Sequence, residues 1–303
     1  MINKLLSIIF IFAIFIWNPY PLQIAELKTY DWLIMNTEPV QNQQILIVDL
    51  DENFINDYGG WPLPRLVYGD LITTTNAIPG ITVLMPNKDI RNEANDTYLS
   101  FRMSKKPTVL ATAASTQVTS TGTHVGTAQL GEDPLPWLYQ YPGILQPIPV
   151  LAVSSKGRGV VTSSPELDGV TRRIPLVVNS QEKLYPSFAL EMLRVAIGDP
   201  RYQLKTNEQG IEWIRVPNYP LMNTDSNGRI FLDWNTKFYK QTGSEFIKNP
   251  IEAPFVIVGT TAEGVTNPVP TPAGPKYPHE IQANILHNLI PVSYTHLTLP
   301  TKA

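Results

Sequence analysis

Acidic residues that directly follow an apolar run are the first candidates for chemistry. Asp49, Asp51 and Glu52 come at the end of residues 45–48, whose β-branched, apolar character is typical of a buried strand. Open α/β sheets bind ligands beside the carboxyl ends of their strands, so these carboxylates predict a polar ligand site. A pair of carboxylates can also hydrolyse a glycosidic bond. The structural alternative is that Asp51 caps a short helix starting near Glu52.

The segment that follows supplies a candidate cation. Residues 59–65 read GGWPLPR and end on Arg65, whose guanidinium could bind an anion or pair with Asp49 or Asp51. The alternative is again structural. Trp61 and Pro62 would then lock a turn, and a helix would begin at Arg65.

A second charged motif occupies residues 168–175, which read DGVTRRIP. Asp168 together with Arg172 or Arg173 offers charges of both signs, which could orient a polar ligand. Asp168-Gly169 is also a strong turn signal. The alternative is therefore a turn followed by a strand, on which the two arginines face opposite sides of a sheet.

Other motifs for chemistry are weak. Gly259 opens a Gly-x-x-x-x-Gly loop after an apolar run, which could cradle a phosphate, but no Lys-Ser or Lys-Thr follows as a P-loop requires. The four histidines lack the spacing of a zinc site, and no Ser occupies a Gly-x-Ser-x-Gly elbow. We therefore predict no catalytic residue, no metal and no cofactor.

Composition excludes further classes. The 303 residues carry a net charge of −3, and Lys and Arg are spread along the chain without forming a basic stripe, so nucleic acid is excluded as a partner. The chain has no Cys, which excludes disulfides and thiolate chemistry.

The N-terminus predicts a membrane anchor. Lys4 precedes a run of 13 residues, LLSIIFIFAIFIW, interrupted only by Ser7. The run could extend through Tyr20 and Ile24 to the first acidic residue, Glu26, and no Ala-x-Ala-like cleavage site follows it. We therefore predict an uncleaved transmembrane helix within residues 1–25.

Short apolar runs alternate with segments of helical spacing in the rest of the chain. This order predicts an α/β fold, a mixed sheet with helices packed on it, in one domain that spans residues 26–290. The predicted strands are residues 45–48, 81–84, 108–111, 174–178, 230–232 and 255–258. The predicted helices are residues 65–77, 95–103, 185–197 and 279–290. The predicted loops are residues 115–126, 134–149 and 268–278.

Eight segments in this order resemble the type-two CHASE domain (CHASE2), a sensory extracellular domain of bacterial receptors associated with cyclases and histidine kinases. The segments are YD at 30–31, ILIVDLDE at 45–52, GWPLPR at 60–65, DGVTRRIP at 168–175, YPSFAL at 185–190, VIVGTTA at 256–262, PTP at 270–272 and HEIQANIL at 279–286. The resemblance covers roughly residues 27–289.

The resemblance implies a periplasmic or otherwise extracytoplasmic input domain in the bacterial inner membrane. One N-terminal helix would hold it, and further membrane helices and a cytoplasmic output domain, commonly a cyclase or kinase, would follow. The implied partners are an unknown small-molecule or physical stimulus, the membrane, the output domain and a second copy in a homodimer. One departure concerns residues 83–89, VLMPNKD, where the family usually has Phe-Asp and further acidic residues.

The C-terminus departs more sharply. Residues 291–303 read PVSYTHLTLPTKA, which is polar and unlike the membrane helix that the resemblance implies there. We therefore predict a truncated receptor with a foreign tail. Two alternatives stay open: a membrane-anchored periplasmic binding or scaffold protein, and an anchored hydrolase that uses Asp49 and Asp51.

Overall fold

A seven-stranded sheet forms the centre of the fold in the computed structural model, which describes residues 17–119 and 126–290. Its strands, in spatial order, are β15 (Thr236–Thr242), β1 (Val40–Leu50), β16 (Phe255–Thr260), β2 (Ile78–Ile81) and β3 (Val109–Ser115), and β3 also pairs with β6 (Gly143–Leu145) and β7 (Gly157–Val160). The pairing of β3 with β6 is antiparallel and the others are parallel. The carboxyl ends of six strands therefore meet at one edge.

Three smaller sheets surround this centre. They have four, three and two strands. The strands are β4 (Gly126–Gly131), β11 (Arg201–Asn207), β12 (Gly210–Arg215) and β13 (Met222–Asn223); β5 (Gln140–Tyr141), β9 (Val177–Ser180) and β10 (Lys183–Pro186); and β8 (Arg173–Pro175) with β14 (Arg229–Phe231).

Helices cover both faces of the main sheet. They are α1 (Tyr20–Met35), α2 (Glu52–Asp57), α3 (Arg65–Thr74), α4 (Ala94–Lys105), α5 (Pro149–Ser154), α6 (Phe188–Ile197), α7 (Gly243–Lys248) and α8 (Pro278–Leu289). Because side chains alternate along a strand, β1 contributes to two cores. Ile45 and Ile47 pack in the core that includes α6 and α8, whereas Leu46 and Val48 pack in the core that includes α2 to α5 and α7.

The predicted α/β class is confirmed, and several elements lie where the sequence placed them. Three of the four predicted helices, at residues 65–77, 95–103 and 279–290, match α3, α4 and α8 to within three residues at each end. Four corrections are needed. The strand predicted at 81–84 is β2, three residues earlier, and the strand predicted at 174–178 is two strands of different sheets. The helix predicted from 185 begins at Phe188, and the loop predicted at 134–149 contains β5 and β6.

The predicted anchor lies mostly outside the described residues, since only residues 17–25 of it are described. Asn18 and Pro19 are not helical, so the predicted continuation of one apolar helix through Tyr20 to Ile24 is wrong; those residues are the first turns of α1. Within residues 17–119 and 126–290, none of the helices has the length and apolar character needed to cross a membrane. The predicted foreign tail, residues 291–303, also lies outside the described residues.

Candidate functional site

Arg172 ties α1 to the body of the domain. Its side chain is fully buried and lies between Asp31 of α1 and Asp168 of the turn before β8. The guanidinium donates to both oxygens of each carboxylate, at 2.6 and 2.8 Å to Asp31 and at 2.8 Å twice to Asp168. We call Asp31, Arg172 and Asp168 the Arg172 clamp. Such paired bonds between charged groups are stronger and more directional than neutral ones.

The charge of the clamp is balanced by a second cation. Lys28, one turn before Asp31 on α1, places its Nζ 3.3 Å from Asp168 and 3.7 Å from Asp31. The hydrogen bonds from Arg172 hold the pKa of Asp168 well below its usual range, and the bonds to Asp168 and Asp31 raise the pKa of Arg172. Asp168 and Arg172 are therefore ionised across the physiological pH range.

The clamp matters because α1 has little other attachment. No residue of α1 is buried. Ile34 packs at the margin of the core, and the ring of Tyr30 lies 4.9 Å from that of Phe231 on β14. Polar contacts therefore provide much of what fixes α1 in place.

Arg173 belongs to a neighbouring network. Its guanidinium donates to Glu166 at 2.6 and 2.7 Å and to Asp225 at 3.2 Å, and lies 5.0 Å from the ring centre of Phe231. Arg229 bonds Asp225 as well, at 2.7 Å. Because protein carboxylates occupy Arg172 and Arg173, this pair is engaged in holding the structure together.

A cleft of ≈ 230 Å³ opens at the carboxyl edge of the main sheet, where open α/β sheets bind ligands. Its walls come from the residues at or just after the ends of β2, β7 and β16, from the first turn of α8, and from Trp61. We call it the Trp61 cleft. The lining residues are Trp61, Thr82, Val83, Leu84, Val161, Thr260, Val265, Thr266, Pro278 and His279.

His279 connects this cleft to Asp49. The imidazole is buried, and its Nε2 lies 2.7 Å from Oδ1 of Asp49 near the end of β1. Its ring lies against Gly259 of β16, where a Cβ atom would come within 2.3 Å of the ring. Gly259 therefore provides space for His279, and it lies within β16 and not in a phosphate-binding loop.

Arg65 lines a second cleft of ≈ 170 Å³, which shares Trp61, Val83 and Leu84 with the first. Arg65 begins α3 as predicted, but its expected pairing with Asp49 or Asp51 is wrong. Its Nε lies 3.6 Å from Asp96, and its backbone N–H donates to Asp89 at 2.7 Å. Burial alone would raise the pKa of the Asp89 carboxyl group. Four hydrogen bonds to this group, one of them from the Arg65 N–H, outweigh that effect and lower the pKa.

The remaining predicted residues have local roles. Asp51 accepts a hydrogen bond from the Phe54 N–H at 2.9 Å, which confirms the capping alternative, and Glu52 is exposed on the first turn of α2. Gly169 has a φ of +78° in the predicted turn, and β8 follows it. Pro62 follows Trp61 through a cis peptide bond.

Thus the structure separates the candidates that the sequence grouped together. Among the contacts of the described residues, none of those of Arg172 or Arg173 involves Asp49, Asp51 or Arg65. Sequence reasoning missed Asp31 and His279 as site residues. Both lie in the segments that carry the resemblance, but their partners are 141 and 230 residues away in the chain.

The fold and site define a class of protein. A doubly wound α/β domain with a small cleft at the carboxyl edge is suited to binding, and the described residues contain no group of three or more metal-ligating side chains. Searches of curated proteins and of solved structures gave no match.

A family comparison gives the particular assignment. The family model of the CHASE2 domain matches residues 7–302, essentially the whole chain. The chain therefore belongs to the CHASE2 family, whose members are extracytoplasmic sensory domains of membrane receptors and not catalytic domains.

Proposed function

We propose that this chain is the input domain of a bacterial inner-membrane receptor, truncated before its further membrane helices and its cyclase or kinase output domain. An anchor within residues 1–19 holds it, and residues 20–290, from α1 onward, form the extracytoplasmic sensory domain. Membership of the CHASE2 family supports the role in sensing. The observation that carries the mechanism is the Arg172 clamp, because it joins the helix after the proposed anchor to the body of the domain.

Two routes connect the domain to its ends. The clamp fixes α1 at the N-terminal side. Helix α8 begins in the Trp61 cleft with Pro278 and His279, and in its last turn Nδ1 of His287 accepts from Asn42 at 2.8 Å near the start of β1. A stimulus that binds one arrangement of these helices more tightly shifts the receptor toward that arrangement.

The first test is the native gene beyond codon 290. The proposal expects membrane helices and then a cyclase or kinase domain in the same reading frame. A stop codon soon after codon 290 would contradict it and favour an anchored binding or scaffold protein.

The second test loosens the clamp in the complete receptor. Asp31→Asn removes one carboxylate and leaves Arg172 paired with Asp168. We expect output activity to change by about twofold to thirtyfold, equivalent to a coupling of about 0.5–2 kcal/mol. Glu38→Gln, an exposed change between α1 and β1, is the matched control. Equal output from both variants and the unaltered receptor would argue against signalling through α1.

A further inference from the structure

Two threonines of the Trp61 cleft have already committed their hydroxyl hydrogens. The Thr82 hydroxyl donates to a carbonyl of β16 at 3.0 Å, and the Thr260 hydroxyl donates to a carbonyl of β1 at 3.0 Å. His279 faces the carboxylate of Asp49, which accepts only, so Nε2 of His279 carries the hydrogen of that bond. The capacity left to the two threonine hydroxyls is that of acceptors. They therefore favour a ligand group that donates.

The charges around the cleft disfavour an anion. Its lining contains no Lys or Arg, and the nearest charged partner of a lining residue is Asp49, bonded to His279. The positive end of α8 would attract an anion, but Glu280 already accepts the Tyr277 N–H there at 2.7 Å. At the His279 end of the cleft the carboxylate of Asp49 therefore favours a cation, whereas Arg65 and Lys88 line the second cleft.

The remaining walls suit a compact apolar body. Val83, Leu84, Val161 and Val265 contribute methyl groups. The cleft volume of ≈ 230 Å³ equals that of about eight molecules of liquid water. The Trp61 side chain, 40% exposed at the rim, offers an aromatic face, the strongest partner for a cation among the aromatic residues.

We propose that the Trp61 cleft binds a small organic ammonium ion, a protonated amine on a compact apolar group. The proposal names the ligand class for the input function above and rests on that function. An ammonium group has donors and no acceptor, which complements the hydroxyl oxygens of Thr82 and Thr260. Its charge is favoured by Asp49 and by the ring of Trp61, and its apolar group fills the space lined by valine and leucine side chains.

The test is a calorimetric titration of the 303-residue chain at pH 7 with matched probes. Methylammonium, isobutylammonium and benzylammonium are compared with acetate, isovalerate and phenylacetate. Methanol, isobutanol and benzyl alcohol are their neutral partners. We expect saturable binding of at least one ammonium ion, about tenfold tighter than that of its neutral partner, and no binding of the carboxylates. Tighter binding of any carboxylate than of its ammonium partner, or no saturable ammonium binding, would overturn the proposal.

Variants of the chain assign the binding to this cleft. Asp49→Asn keeps an acceptor for His279 but removes the charge, and we expect about tenfold weaker ammonium binding. Thr266→Trp fills the cleft and abolishes binding. Glu208→Gln removes an exposed acid at the β11–β12 turn and leaves affinity unchanged. If Thr266→Trp folds, by circular dichroism, and still binds as tightly, the site lies elsewhere and the proposal fails.

The two proposals fail in different ways. A receptor whose output responds to Asp31→Asn but whose sensory domain binds no ammonium ion keeps the input function and loses this ligand class. A gene without an output domain removes the input function, whereas ammonium binding in the cleft remains measurable.

Discussion

Arg172 pairs with two carboxylates from distant parts of the chain, and the sequence shows only one of them as its neighbour. The pairing with Asp168 spans four residues and follows from the turn at Gly169. The pairing with Asp31 spans 141 residues and depends on where α1 packs. Breaking such a buried pair costs about 3–5 kcal/mol, because the remaining charge loses its partner in a place that water does not reach.

The ionisation of Asp168 predicts that the free energy of unfolding depends on pH in the acidic range. Its pKa is lowered in the folded state by the bonds from Arg172, so Asp168 stabilises the fold above its unfolded pKa of about 3.9. That contribution is lost as pH falls further, because the unfolded chain takes up the proton first. Chemical denaturation of Asp168→Asn between pH 5 and pH 2 should give lower stability at pH 5 and a flatter decline.

Glu208→Gln is the control for this measurement, because Glu208 is an exposed acid on a turn. It should keep the slope of the unaltered protein. An Asp168→Asn profile parallel to that of the unaltered protein would show that Asp168 is not the group responsible.

At the scale of elements, β16 and α8 fit together through one missing side chain. Gly259 lets the ring of His279 lie against the strand, and this position brings Nε2 to Asp49. From sequence, Gly259 had the appearance of a phosphate-loop glycine because Gly264 follows five residues later. Local pattern alone could not distinguish the two roles, since the difference lies in a contact with a helix 20 residues further along the chain.

Gly259→Ala should therefore damage both stability and the site. A Cβ at this position meets His279 at 2.3–2.5 Å, so the ring must move and the bond to Asp49 must break. We expect a loss of at least about 2 kcal/mol in the free energy of unfolding, measured by denaturant titration. Gly126→Ala is the control, because its nearest new contact would be 3.8 Å, and it should change stability by under about 1 kcal/mol. Equal losses would contradict the packing role.

The spacing of apolar residues within each element decided which elements could be predicted. Helices α3, α4 and α8 have an apolar face with helical spacing, so their positions followed from the pattern. Strand β2 did not, because Ile78–Ile81 includes Pro79 and Gly80, residues that are rare in strands, and the apolar Val83 and Leu84 beyond it line the cleft. The run at 174–178 is uniformly apolar, and Leu176 marks a change of sheet that no periodicity records.

At the scale of the whole molecule, the core could be predicted from sequence better than the site. The apolar runs of β1 and β16 identified the central strands, because strands buried on both faces are apolar throughout. The site depends on which ends of those strands come together and on helices that arrive from other parts of the chain. The site residues predicted from the sequence therefore came from three separate places: the cleft, the clamp and a helix cap.

The attachment of α1 predicts how fragments of the chain behave. A fragment that begins at Val40 lacks Asp31 and leaves Arg172 with one carboxylate. We expect its free energy of unfolding to be about 1.5–3 kcal/mol lower than that of a fragment beginning at Asn18, the range for lost hydrogen bonds between charged groups, measured by urea denaturation. Equal stability of the two fragments would mean that α1 is not part of the folded unit.

The length of helix α8 has a consequence for how a displacement at the cleft reaches the end of the domain. Its 12 residues form a rod of about 18 Å, with the cleft at one end and the bonds of His287 and Asn288 to Asn42 and Asp233 at the other. A rigid rod passes on a displacement without enlarging it. The position that a bound ligand imposes on the first turn of α8 would therefore set the displacement of Leu289 at the other end. The size of the ligand, as well as its affinity, would then determine how strongly the receptor responds.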